Sequence, residues 1–247
     1  MGASSGTRTL ASIAAALTLT GLLAATAEAV APEDARAEYD PKIRPADFVD
    51  TVDNPYYPLA PGSRWVYENE TPDGLERIVV EVIDARKRVL GVDMTVLHDT
   101  VTLDGVIIED TFDWFAQDKR GNVWYFGEDT HEYENGVPVN SNGAWEAGID
   151  GAKPGIIMQA HPRVGDVYRQ EYSEGIAEDK AKVLSVTASA DVPFGAFEGD
   201  VLKTKDWNPL EPGSAEHKLY ARGVGTVLEL SAKGGGERVE LVEHTTP

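Results

Sequence analysis

Between Glu109 and Glu134 the chain carries eight carboxylates against two cations, Lys119 and Arg120, and four of the eight, Glu128, Asp129, Glu132 and Glu134, stand around His131. Carboxylates this dense repel one another unless water, protons or a bound cation separates their charges. Oxygen donors suit a hard ion such as calcium, and an imidazole extends the choice to zinc. Asp129, His131, Glu132 and Glu134 are therefore the candidate ligands of a divalent cation. If the strand geometry keeps them apart, the same acids are the solvated rim of a hairpin.

Paired carboxylates also support general acid and nucleophile chemistry on glycosides or esters, for which Asp113, Glu128, Glu171 and Glu178 are the candidates. The separation of the two groups decides that mechanism, and separation is a property of the fold. Other reaction classes lack their motifs. His131-Glu132 has no second His four residues on, Asp118 to Asn122 lacks the alternating oxygens of a calcium-binding helical loop, and the chain has no GxSxG, P-loop or GxGxxG.

The elements that must position these groups read as strands. Ile78, Val80 and Val82 share one face of a period-two pattern, and similar runs recur over 92–102, 106–117, 122–127, 166–172, 180–189, 200–207, 216–221, 226–232 and 237–244. Turn residues close them, including Asp104-Gly105, Asp118 to Gly121 and Asn135-Gly136. No long stretch keeps helical spacing. The expected fold is all-β, a curved antiparallel meander of about eleven or twelve strands closing as a half-barrel, barrel or sandwich. Alternation puts Asp110, Phe112, Trp114 and Ala116 on one face of the first hairpin strand and Thr111, Asp113, Phe115 and Gln117 on the other, and in the second strand it separates Trp124 and Phe126 from Val123 and Tyr125. Aromatics on both faces imply that the hairpin is covered on both sides or that one face lines a cavity. His98, in step with Met94 and Val96, reads as a hydrogen-bonded core histidine.

Residues 1–29 have the layout of an export signal: one cation at Arg8, an uncharged apolar run from Leu10 to Ala25, and Ala27-Glu28-Ala29 as the cleavage pattern. Residues 30–54, mixed in proline and charge, form an extended lead-in, and 55–247 a single β domain with no membrane span in the mature chain. The expected location is secreted or periplasmic. The chain has no cysteine, so the core must stabilise it without disulfides. Its formal net charge of −20 opposes nucleic acid and anionic lipid, leaving cations, cationic surfaces and small ligands as partners.

DNPYYPLAPGSRWVYE from Asp53, DWFAQDKRGNVWYFGED from Asp113, WEAGIDGAKPGIIM from Trp145 and EHKLYARGVGTVLEL from Glu216 resemble a family of secreted bacterial proteins of unassigned activity. The likeness runs from about Asp50 to the end of the chain. It implies export and one β-rich domain, and it transfers no catalytic or binding residue. Three functions follow as expectations: a secreted or envelope-associated binding module with a cation on the acidic hairpin, a carboxylate-dependent hydrolase, or a carrier of an apolar ligand in a half-barrel.

Overall fold

The computed structural model describes residues 39–233 and 237–247. Residues 1–29, expected to be an export signal, and residues 30–38 of the lead-in lie outside the described residues. Among the described residues there are eighteen strands, of which eleven have six residues or more, one short 3-10 turn at Pro45–Asp47 and no α-helix. Most of the long strands follow the period-two runs, but Lys153–Met158 lies in a Gly- and Pro-rich stretch where alternation predicts none, and the expected 122–127 run continues unbroken to Glu134. The long strands are β4 (Arg64–Thr71), β5 (Gly74–Val89), β6 (Val92–Leu103), β7 (Val106–Asp118), β8 (Val123–Glu134), β11 (Lys153–Met158), β14 (Lys180–Val192), β15 (Gly195–Trp207), β16 (Glu216–Ala221), β17 (Gly225–Ser231) and β18 (Arg238–Thr245).

These strands form one antiparallel sheet in the order β14, β15, β16, β17, β18, β4, β5, β6, β7, β8, β11. The strand nearest the C-terminus therefore pairs with the first long strand, Leu241 opposite Tyr67. Register follows the hydrophobic phase: Ile78, Val80 and Val82 of β5 stand opposite Val101, Asp99 and Leu97 of β6. Slipping this pairing by one residue would expose the whole apolar row, each member of which contributes about 1.5–3 kcal/mol when buried.

The sheet curls until its two edges nearly meet, so the fold is a nearly closed barrel. One segment does the joining. Short strand β12 (Val167–Arg169) pairs with β14, and β13 (Glu171–Tyr172), one residue later, pairs with β11 at the other edge. Gln170 between them donates its backbone N–H to Asp179 O at 2.8 Å. A Cβ on Gly155 of β11 would lie 2.3 Å from the carbonyl carbon of Gln170, so only glycine lets the edges approach this closely. The expected single strand over 166–172 is thus split because its two halves serve opposite edges.

One end of the barrel is plugged by the end of the lead-in. Strands β2 (Asp53–Asn54) and β3 (Tyr57–Pro58) make a small hairpin there. The Asn54 amide donates to Gly121 O at 2.8 Å and to Gln159 O at 3.1 Å. The Tyr57 ring packs edge-on against Phe115, 5.5 Å between centroids, and Gly223 N–H donates to Pro55 O. Just before it, β1 (Phe48–Val49) pairs with the end of β7 and sets Phe48 against Trp124 and Phe126. The aromatics of the β7–β8 hairpin are covered on the outside in this way, while its other face lines the interior. Asp118 caps the β7–β8 turn, accepting from the backbone N–H groups of Arg120 and Asn122 and from Trp124 Nε1, with Gly121 at φ 93°.

Candidate functional site

The barrel interior holds ionisable side chains at positions where alternation would ordinarily put aliphatic ones. On the wall made by β6, β7 and β8, Asp99, Glu109, Asp113 and Glu128 are all buried, beside Thr111 and Thr130. Asp113 stands opposite both Leu97 and Glu128, and Thr111 opposite both Asp99 and Thr130, so these residues form adjoining rows across three strands. The threonine hydroxyls share a hydrogen bond of 2.7 Å, Thr111 Oγ1 donates to Glu109 Oε1 at 3.3 Å, and Tyr125 donates to Asp113 Oδ1 at 2.6 Å. Glu171 joins the wall from β13, accepting from Trp145 Nε1 at 3.0 Å; Trp145 belongs to β10 (Trp145–Glu146), paired to β8.

Asp99 is the exception among them. It is 1% exposed, and neither carboxylate oxygen has a hydrogen-bond partner among the described residues. Glu109 Oε2 is likewise unpartnered. Burial, and then the negative charge of Asp113, raises Asp99 well above the ordinary carboxylate range. Burial, followed by Asp99 and Glu128, pushes Glu109 up to about 10. Burial is also the main cause for Glu171, with Asp179 next, and it too lies well above its ordinary value. Glu109 therefore holds a proton at neutral pH, and for each of these carboxyls a positive charge brought alongside would favour the ionised form.

The opposite wall shows what that charge does. There Lys218 lies between Glu216, at 3.2 Å, and Glu229, at 3.8 Å. Asp206 accepts from Gln170 Nε2 at 3.0 Å and from the Thr204 hydroxyl. Burial raises Glu216, and the Lys218 ammonium pulls it back, so that it rises only to about 7. The groups acting most strongly on Asp99 and Glu109 include no cation. The two walls therefore carry similar acids but differ in one buried ammonium.

The residues singled out from sequence divide between places. Asp113, Glu128 and Glu171 come together inside the barrel. Glu178 does not join them; it lies at the 173–178 turn, where it accepts from Gly175 N–H and stands 3.8 Å from Arg169. Asp129 and His131 point outward from β8, 57% and 42% exposed and 3.3 Å apart. Glu132 accepts from the Asn140 amide at 2.8 Å, and Glu134 is exposed at the Asn135-Gly136 turn. Among the described residues no group of three or more His, Asp or Glu side chains is gathered as a metal would need. β-alternation is the reason: it separates neighbours in sequence, so the four acids around His131 never face one point. His98 is hydrogen-bonded to Asp110 at 2.6 Å and stacked on Phe112, half-buried.

Sequence reasoning passed over Asp99, Asp206, Lys218 and Glu229. The signal was present as phase: Asp99 falls in step with Leu97 and Val101, and Glu229 in step with Val227. An acid in the inward phase of an apolar strand is a buried polar group in need of a partner. No protein-family model matches the chain, and no curated protein or solved structure matches it either.

Proposed function

We propose that this protein is a binding module, working outside the cytoplasm, that takes a small solute bearing an ammonium or similar N–H donor group against the Asp99 wall of the barrel. One observation carries this reading: Asp99 is fully buried among other acids, both its oxygens lack a hydrogen-bond partner among the described residues, and the groups acting most strongly on it include no cation. A buried carboxyl without a hydrogen-bond partner costs about 1–3 kcal/mol, and more once ionised. An ammonium would supply to this wall what Lys218 supplies to the other. The acids and phenols of the interior support a polar occupant over an apolar one, and the dispersal of His131 and its neighbours favours an organic cation over a metal ion. The export-signal layout of residues 1–29 and the resemblance to secreted proteins support the location.

Calorimetric titration with methylammonium, ethanolamine and putrescine tests the reading. Saturable binding should release a proton, detected as a heat that depends on the buffer's ionisation enthalpy, because Asp99 passes from neutral to charged. Asp99→Asn, which imitates the neutral acid in shape, should keep the fold and weaken binding at least tenfold. Absence of binding for all three up to about 10 mM, a free energy of less than ~2.7 kcal/mol, would refute it. Equal binding by Asp99→Asn would do the same.

A further inference from the structure

A second feature, at the plugged end, has the opposite charge. The chain as a whole carries 42 acidic side chains against 22 Lys and Arg. Yet a cleft of about 560 Å³ beside the plug hairpin is lined by Arg120, Arg163, Arg222 and His161, with Asp53 the only acid among its lining residues. Asp53 is already engaged, its Oδ1 accepting from Gln117 Nε2 at 2.6 Å and its backbone N–H donating to Gln117 Oε1 at 3.0 Å.

The cations come from three separate parts of the chain. Arg120 belongs to the β7–β8 turn, His161 and Arg163 to the loop after β11, and Arg222 to the turn between β16 and β17. Arg222 is held in place by Asp200, Nε to Oδ1 2.8 Å, and lies over the Tyr56 ring at 4.4 Å. The guanidinium groups of Arg120 and Arg163 are exposed and form no ion pair among the described residues. The walls that carry them are tied together. Asn54 bonds both Gly121 O and Gln159 O, and Ala160 N–H donates to Asn122 Oδ1 at 2.9 Å. The two uncommitted arginines are thus mounted on cross-linked backbone.

We propose that this cleft binds a small solute carrying two or more anionic oxygen groups, carboxylate or phosphate, with Arg120 and Arg163 as its principal partners. Planar guanidinium forks pair two-to-two with such groups, and the volume is that of a small-molecule site. The net charge of the protein repels a long polyanion. A small ligand inside the cleft responds chiefly to charges within a Debye length of about 8–10 Å; there Asp200 is paired with Arg222, and Asp118 and Asp166 accept from the backbone N–H groups of Arg120 and Arg163, which leaves those two guanidinium groups to face the ligand.

The probes are citrate for carboxylates and pyrophosphate for phosphates, titrated calorimetrically at matched ionic strength against wild type and an Arg120→Gln/Arg163→Gln double variant. Saturable uptake of at least one probe by wild type is expected, weakened at least tenfold in the double variant with its melting temperature unchanged. Citrate alone, pyrophosphate alone or both would identify the preferred chemistry. Absence of uptake of either up to about 10 mM, or equal uptake by the double variant, overturns the proposal. Neither result bears on amine binding at Asp99, which lies on the interior wall.

Discussion

Glu109 allows the interior to be probed without any ligand. Its carboxyl is buried, has one oxygen unpartnered, and is pushed up to about 10 by burial and then by Asp99 and Glu128. In the unfolded chain it titrates near 4.5. A group whose folded value is raised stabilises the native state most below its unfolded value and loses that contribution as pH rises toward the folded one. For Glu109 the window therefore opens at pH 4.5 and extends to about 10. Within it the native protein keeps a proton that the unfolded chain gives up, at about 1.4 kcal/mol per pH unit. Glu109→Gln resembles the protonated side chain and has no proton to lose. Relative to wild type it should therefore gain stability steadily with pH, by about 3 kcal/mol between pH 4.5 and pH 7. Urea unfolding of both proteins at pH 5, 6, 7 and 8 measures the difference directly. A difference that stays flat across this range would mean that Glu109 is ionised in the folded protein, and the account of the interior as a set of neutral acids would fail.

Two further substitutions test the frame that holds the site. Gly155→Ala places a methyl carbon 2.3 Å from the Gln170 carbonyl carbon; it should cost about 3 kcal/mol, and hydrogen exchange should show 167–172 opening before the rest of the sheet. Unchanged protection there would show that the barrel does not depend on this approach. Asp118→Ala removes the acceptor for two backbone N–H groups and for Trp124 Nε1; urea unfolding should show a loss of about 1–2 kcal/mol, and a loss under a few tenths would remove the cap from the account.

The strands were legible because their signal is local. Alternation over 92–102 and 106–117 and the turn chemistry of Asp118 to Gly121 reappear nearly residue for residue in β6, β7 and the turn that follows, while the phase read at 78–82 is the middle of the longer β5. Even the two-sided aromatic character of the β7–β8 hairpin had a meaning, since Phe48 covers one face and the interior receives the other. The break of 166–172 at Gln170 was not legible, because nothing in those residues states that their halves face different edges.

The sequence by itself determined the class of the fold, the phase of each strand and the abundance of acids, all of which depend on neighbours along the chain. Only the tertiary structure decided which acids matter. Adjacent residues on a strand point to opposite faces, so the dense acids around His131 disperse. Asp99, Glu109 and Asp113 share one inward face, and strand pairing brings Glu128 beside them. The cationic cleft has the same origin: Arg120, Arg163 and Arg222 are far apart along the chain, and only barrel closure and the plug hairpin bring them to one end.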